Sequence, residues 1–238
     1  MAEYFDRIAH RYDRWYETGT GRYVDRTEKW LIFSTLRSEG GRALDLGCGT
    51  GNYTAELHRR GFHVIGLDAS ERMLEIARKK LPSVRFIHGD AYHLPFPDES
   101  FDVVLSVTMF EFIHRPEEVV AEIYRVLKPG GEVIIGTMNG RSLWFLFKRI
   151  KSIFTETAYR YARFYTPGEL ERLLLSSGFR EVESAGVIFF PSFWPFPGLA
   201  EKVDRKCHRK CRGLAAFVAA RGVKGEGRDS PDNPGRGV

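Results

Sequence analysis

ALDLGCGTGNYT, the stretch from Ala43 to Thr54, joins an apolar strand pattern to an acidic residue and three alternating glycines. The acidic residue is Asp45, and the glycines are Gly47, Gly49 and Gly51. Glycine permits positive φ and carries no side chain to hold a ligand away from the backbone. The turn is therefore predicted to bring backbone against a nucleoside ligand.

Strand and helix patterns alternate from this turn onward. Strand patterns cover 43–46, 63–67, 84–88, 101–107 and 132–137, and helix patterns cover 52–60, 71–81 and 116–127. Such alternation predicts parallel βαβ units in a doubly wound α/β fold with a Rossmann-like sheet.

The flanking segments predict additions to this core. Helical spacing covers 4–16 and 24–36, a capping-box pattern at Thr166 and Glu169 begins a further helix, and two late strand candidates span 181–190 and 214–220. We expect an N-terminal helical cap over 1–41, a nucleoside-binding core over 42–139, a helical lid insertion over 140–165, a C-terminal helix and strands completing the sheet over 166–224, and a disordered tail over 225–238.

Composition limits the class of protein. The chain has 238 residues, 43% of them hydrophobic, and its N-terminus is charged and aromatic rather than signal-like. Without a long charge-free apolar run and with only three cysteines, it is predicted to be cytoplasmic. The net charge of +5 comes from the region after residue 200, where ten Lys/Arg face five Asp/Glu. A solvated tail explains this excess, and contact with phosphates or an anionic membrane is the alternative.

Polar residues follow the next two predicted strands. In an open parallel sheet, ligands bind at the carboxyl ends of the strands. Asp68 ends the strand pattern VIGLD, where its carboxylate could accept both hydroxyls of a ribose. His88 to Ala91, HGDA, end the third strand, where Asp90 and a backbone amide could contact an adenine edge. Together with the glycine turn, these strand ends predict one adenosine-shaped groove.

The glycine spacing discriminates between nucleoside cofactors. A dinucleotide fingerprint GxGxxG read from Gly47 needs glycine or alanine at position 52, where this chain has Asn52. The spacing GxGxG preceded by Asp45 is instead expected for a methionine-derived cofactor without phosphates. The sequence has no GxxxxGK[ST] motif, which argues against ATP cleavage of the P-loop type.

With these motifs the chain resembles the class I S-adenosylmethionine-dependent methyltransferases. It is most similar to the methyltransferase type 11 group, which includes the ubiquinone and menaquinone biosynthesis C-methyltransferases. The matching motifs span about residues 42–180 and are LDLGCGTG, GLDAS, GDAYHLPF, FDVVLSVTMFEFI, LKPGGEVII and YTPGELERLLLSSGF. The resemblance implies a seven-stranded, mostly parallel sheet with a reversed last strand, and S-adenosylmethionine as cofactor.

The resemblance also implies a set of cofactor-binding residues. These are Tyr12, closing over the cofactor; Asp45, Gly47, Cys48, Gly49 and Gly51, around its methionine and ribose; Asp68, on the ribose hydroxyls; Ala69 and Met73, packing on the adenine; Asp90 and Ala91, at its amino edge; and Ser106, Val107 and Thr108, beside the sulfonium. The alternatives are helix capping for Asp68 and Asp90 and core packing for Met73. Cys48 is interpreted as a packing residue and not as a nucleophile, because no Cys-His arrangement accompanies it.

Methyl transfer from a sulfonium is an in-line displacement, so alignment of the reactants and exclusion of water can supply much of the rate. A general base is needed only if the acceptor must lose a proton. His10, Tyr12, Glu111 and His114 are weak candidates, and each has a surface or core role as its alternative.

The acceptor is predicted to be a small, apolar or aromatic molecule. The basis is a supply of aromatic residues for the lid, namely Trp15, Tyr16, Trp144, Phe145, Phe147, Phe154 and Tyr165. Alternatives are a tRNA or protein methyltransferase that uses the basic C-terminal region, and a non-catalytic cofactor-binding protein. We expect a monomer or homodimer, no stable nucleic acid partner, and no metal at Cys207, His208 and Cys211, which lack a second ligand cluster. Peripheral membrane contact is one interpretation of the basic aromatic segment, and packing of the lid on the sheet is the other.

Overall fold

Seven strands form a single sheet in the computed structural model, which describes residues 1–142, 162–190 and 197–226. The order is β3-β2-β1-β4-β5-β7-β6. The strands are β1 Gly41–Leu46, β2 Phe62–Asp68, β3 Arg85–His88, β4 Phe101–Val107, β5 Leu127–Met138, β6 Phe179–Val187 and β7 Phe217–Lys224.

Helices precede the sheet and cover both of its faces. They are α1 Ala2–Tyr12, α2 Arg14–Glu17, α3 Gly19–Thr35, α4 Asn52–Arg59, α5 Glu71–Lys80, α6 Pro116–Val126, α7 Pro167–Ser176 and α8 Pro197–Cys207, with short 3₁₀ helices at Phe110–Phe112 and Arg212–Leu214. Within the three described ranges, none of these helices is both long and apolar enough to cross a bilayer.

The topology confirms the doubly wound sheet and its reversed last strand. The pairs β1–β2, β1–β4, β2–β3 and β4–β5 are parallel, whereas β7 runs antiparallel to both β5 and β6. The strand order reverses between β1 and β4, and such a switch point opens a crevice at the carboxyl ends of the strands. A ligand site is therefore expected beside the glycine turn.

Buried side chains lie on both faces of the sheet. One cluster includes Leu31, Val103 and Ile134, and the other includes Val104 and Val133. Neighbouring residues of β4 thus belong to opposite faces, which explains why FDVVLSV is apolar throughout.

The late strands differ from the sequence prediction in their bounds. β6 starts at Phe179, directly after Gly178, whose φ of +89° ends α7. β7 begins three residues later than predicted and continues beyond Ala220 through Arg221. A charged residue there argues for a strand end, but Arg221 is buried because its guanidinium pairs with Glu132 on β5.

The predicted lid insertion falls largely outside the described residues, which omit 143–161. Its two ends are described, and Asn139 and Tyr165 form a parallel β-bridge there. The Arg163 N–H donates to the Glu111 carbonyl at 2.7 Å. The insertion therefore leaves and rejoins the core close to the end of β4. Of the predicted disordered tail, residues 227–238 also lie outside the described residues.

Candidate functional site

A cavity lies at the carboxyl ends of β1 to β4 and is covered by α1. Its lining includes Gly47 and Gly49 from the glycine turn, Asp68, Ala69 and Met73 after β2, Gly89, Asp90 and Ala91 after β3, Val107, Thr108 and Met109 after β4, and Phe5 and Tyr12 from the N-terminal helix. The structure thus brings together residues from four strand ends, as the switch point requires.

The glycine turn is shaped by hydrogen bonds to the neighbouring strand. The N–H groups of Gly47 and Cys48 both donate to the Leu67 carbonyl, at 2.8 and 3.1 Å. Gly47 and Gly49 have φ of +76° and +53°, in the left-handed region. A Cβ on Gly47 would lie 2.7 Å from the Met109 side chain, whereas a Cβ on Gly49 would meet nothing within 4 Å. Gly47 allows close packing, and Gly49 leaves the cavity open to a ligand.

Asp68 is held on the cavity wall by backbone donors. Its Oδ2 accepts from the Gly49 N–H and its Oδ1 from the Ser70 N–H, both at 2.8 Å. Burial raises the pKa of this carboxyl above its usual value, against the lowering effect of these bonds. Helix α5 is capped by Ser70, whose Oγ accepts from the Met73 N–H, so capping is not the task of Asp68. The Ala69 N–H also donates to this carboxylate, and three donors on about four acceptor sites leave capacity for a ligand hydroxyl.

Four predicted cofactor residues lie behind the cavity wall. Asp45 is buried and accepts a 2.5 Å hydrogen bond from the Thr54 hydroxyl, and burial raises its pKa to about 7. Cys48 is a buried core residue, and burial raises the pKa of its thiol. Gly51 precedes α4, and Ser106 is fully buried with its Oγ 3.9 Å from Met109 Sδ. None of these four residues is among those lining the cavity.

Of the four base candidates, Tyr12 alone is among the residues lining the cavity, and burial raises its pKa, which keeps the hydroxyl protonated at neutral pH. His10 lines a separate surface cleft between α1 and α5. Glu111 is buried and accepts from the Met138 N–H at 2.9 Å. His114 is exposed, and its backbone N–H donates to the Tyr92 hydroxyl at 3.1 Å.

Sequence reasoning missed the apolar end of the cavity. Met109, Phe112 and Ile113 line it together with Phe5, whose ring meets that of Phe112 edge to face at 5.3 Å between centroids. The motif FDVVLSVTMFEFI carries three of these residues directly after β4, so their position relative to the strand end was the available signal. The cavity is thus lined by carboxylates after β2 and β3 and mainly by apolar side chains after β4.

Comparisons with known proteins agree with this arrangement. Residues 44–135 match the family model described as a methyltransferase domain. The demethylmenaquinone methyltransferase of Thermotoga maritima is 31% identical over 82% of this chain and 92% of its own length. An uncharacterized protein of Methanocaldococcus jannaschii is 31% identical over 90% of this chain and 96% of its own.

A solved structure extends the likeness to the whole fold. The crystal structure of an S-adenosylmethionine-dependent methyltransferase of Thermotoga maritima, described as a possible histamine N-methyltransferase, has a TM-score of 0.75 and 30% identity. The structural match covers 94% of this chain and 100% of the Thermotoga maritima chain. The chain belongs to the S-adenosylmethionine-dependent methyltransferase family. It is a methyltransferase, and its cofactor is S-adenosylmethionine.

Proposed function

We propose that the enzyme transfers a methyl group to a small, apolar or aromatic acceptor bound at the β4 end of the cavity. The observation that carries this proposal is the apolar wall formed there by Phe5, Met109, Phe112 and Ile113. The name of the Thermotoga maritima relative, a demethylmenaquinone methyltransferase, supports an acceptor of this kind.

In this proposal the cofactor lies along the cavity with its adenosine at the β2 and β3 ends. Asp68 accepts hydrogen bonds from the ribose, Ala69 and Met73 pack on the adenine, and Asp90 and Ala91 contact its amino edge. The open surface at Gly49 and the remaining acceptor capacity of Asp68 fit such a ligand. Val107 then lies near the methyl-bearing sulfur.

Bound S-adenosylmethionine supplies an electrophilic methyl group with a thioether as leaving group. The contribution of the protein is to place the nucleophilic atom of the acceptor in line and to exclude water. The rings of Phe5 and Phe112 provide flat apolar surfaces for this purpose. Tyr12, protonated at neutral pH, acts in this proposal as a hydrogen-bond donor over the cofactor and not as a base.

An acceptor panel with methyl-labelled cofactor tests the proposal. Quinols, phenols and small aromatic amines, histamine among them, would be compared with bulk tRNA and a protein extract. Phe112→Ala should raise the KM for an apolar acceptor about tenfold, because it removes an apolar contact worth about 1.5–3 kcal/mol. Binding of S-adenosylhomocysteine should change little. Turnover confined to tRNA or protein would contradict the proposal.

The second candidate, a tRNA or protein methyltransferase, rests on the basic C-terminal region. Lys202, Lys206 and Lys210 are exposed, and none forms an ion pair within the described ranges. Turnover that falls steeply between 50 and 200 mM salt would favour a nucleic acid acceptor, as expected for about six or more phosphate contacts. A small neutral acceptor predicts little salt dependence.

The remaining expectations concern location and assembly. We propose a cytoplasmic monomer or homodimer that approaches membranes peripherally to reach an apolar acceptor. The basic, aromatic segment on which the membrane contact was predicted lies mostly outside the described residues. Gel filtration with light scattering, and sedimentation with phosphatidylcholine or phosphatidylglycerol vesicles, would test these points separately.

A further inference from the structure

We propose that Asp6 and Asp13 are positioning residues that hold α1 closed over the cofactor and thereby set the rate at which it binds and leaves. Both carboxylates lie on the N-terminal cap, and each binds a residue of a loop that lines the cofactor cavity. The inference concerns access to the cofactor site and not the identity of the acceptor.

The first contact joins α1 to the loop after β2. Asp6 Oδ1 accepts from the Ser70 hydroxyl at 2.6 Å and from the Arg72 N–H at 3.2 Å. Ser70 lies two residues after Asp68, and its own N–H donates to that carboxylate. Asp6 therefore holds the helix against the loop that positions the proposed ribose ligand.

The second contact joins the end of α1 to the glycine turn. Asp13 Oδ1 accepts from the Thr50 hydroxyl at 2.7 Å, and Asp13 Oδ2 lies 2.5 Å from Lys80 Nζ. Thr50 is adjacent to Gly49, whose N–H donates to Asp68. Both contacts thus end one or two residues from the same Gly49–Asp68 hydrogen bond.

The spacing of these residues places α1 across the cavity with two separate contacts, and we call this helix the strap. Asp6 and Asp13 are seven residues apart, which is two helical turns and about 10 Å of rise. Phe5 and Tyr12 have the same spacing, and both line the cavity. The carboxylates therefore fix the part of the helix that carries Phe5 and Tyr12 over the cavity.

The position of α1 indicates that the strap must open. Phe5 and Tyr12 of this helix cover the cavity, so exchange of the cofactor requires α1 to move away. Opening the strap breaks both carboxylate contacts, so their strength should govern exchange of the cofactor.

Stopped-flow binding of S-adenosylhomocysteine to the full chain tests the inference. Asp6→Ala and Asp13→Ala should each raise both the association and the dissociation rate constants about tenfold, as expected for loss of a hydrogen bond to a charged group. The equilibrium constant should change less than either rate. Asp13→Asn keeps an oxygen acceptor for Thr50 and should restore part of the slow exchange.

Glu3→Ala is the matched control, because Glu3 is an exposed carboxylate of α1 without a hydrogen bond or ion pair to another described residue. It should leave both rate constants unchanged. Hydrogen exchange provides a second readout, since bound S-adenosylhomocysteine should protect the amides of residues 5–12 less in Asp6→Ala and Asp13→Ala than in the parent.

Unchanged rate constants in folded Asp6→Ala and Asp13→Ala would overturn the inference, even if their melting temperatures fell. Slower association with unaltered dissociation would also overturn it, because that outcome indicates a binding role and not a closing one. These measurements contain no acceptor, so their failure is distinguishable from failure of the proposed function.

Discussion

Gly47 and Gly49 lie two residues apart and meet different surroundings. Met109 packs where a side chain on Gly47 would project, whereas the space beside Gly49 is open. At the scale of single residues, positive φ is therefore combined with close packing at one glycine and with open space at the other.

Replacing Gly49 should separate backbone strain from ligand exclusion. Gly49→Ala places a methyl group in the cavity and should abolish most binding of S-adenosylhomocysteine in calorimetry. Gly61→Ala is the control, because Gly61 has φ of +89° and also has nothing within 4 Å of its added Cβ, but lies outside the cavity lining. Both variants should lose about 1–2 kcal/mol of stability from the left-handed conformation. Equal binding by the two variants would contradict a ligand at Gly49.

Asp45 should make stability depend on pH. Its folded pKa of about 7 lies above its usual value of 3.8, so between these values the folded state binds more protons than the unfolded state. Stability contributed by the protonated form is therefore lost as pH rises from about 4 through 7. Asp45→Asn cannot ionise and should exceed the parent in stability at pH 8 by at least about 1.4 kcal/mol, the equivalent of one pKa unit.

Urea denaturation of both proteins at pH 5, 6, 7 and 8 measures this difference. The parent should lose stability relative to Asp45→Asn across the series, because Asp45 ionises as the pH rises and the Asn side chain does not. The variant is a fair comparison, since its side chain still offers an oxygen to the Thr54 hydroxyl. Parallel curves would show that Asp45 is ionised in the folded protein throughout this range.

At the scale of elements, a buried carboxylate of α8 binds two other parts of the chain. Asp204 is fully buried and accepts from the Tyr23 hydroxyl of α3 at 2.8 Å. It also accepts from the N–H groups of Ile188 and Phe189, at 2.8 and 3.2 Å, just after β6. A single side chain of α8 thus joins three parts of the chain at the carboxyl edge of the sheet.

Tyr23→Phe should therefore cost about 1.5–3 kcal/mol of unfolding free energy, because it removes a donor from a buried carboxylate. Tyr124→Phe is the matched control, since the Tyr124 hydroxyl donates to no described residue while its ring packs on Phe179. Chemical denaturation would measure both variants. A cost for Tyr23→Phe no larger than that of the control would show that Asp204 does not depend on α3.

At the scale of the whole molecule, Glu132 connects distant segments at the edge opposite to the cavity. It accepts from the Ser38 N–H at 2.7 Å and from Arg221 Nε of β7 at 2.5 Å. Both Glu132 and Arg221 are buried. Glu132 on β5 therefore binds both the segment before β1 and β7.

Glu132→Gln should destabilise the fold by about 3 kcal/mol, because buried Arg221 would keep only the 3.9 Å ion pairs with Glu181 and Glu183. Affinity for S-adenosylhomocysteine should stay unchanged in the folded protein, since neither residue of the pair is among those lining the cavity. Glu118→Gln breaks the exposed pair with Arg115 and should cost less than about 1 kcal/mol. A thermal melt and a calorimetric titration of each variant would distinguish these outcomes.

The sequence was sufficient to predict the alternating core, the glycine turn and the carboxylate strand ends. Local patterns carry this information, because burial on both faces makes parallel strands such as FDVVLSV apolar and because glycine marks positive φ. The resemblance supplied the reversed last strand and the cofactor, which the strand pairing and the relatives confirm. The bounds of β7 were missed because the pairing of Arg221 with Glu132 bridges 89 residues.

The alternation of strands and helices and the glycines of residues 47–51 are thus sufficient to predict a cavity at the carboxyl ends of the strands. Only the tertiary structure shows that Asp45 faces Thr54 and not the cavity, that apolar residues line the end of β4, and that Asp6 and Asp13 accept hydrogen bonds from Ser70 and Thr50. The physical reason is that hydrophobic period and backbone conformation are local properties of a sequence, whereas the partner of a polar side chain depends on which distant segments the fold brings together.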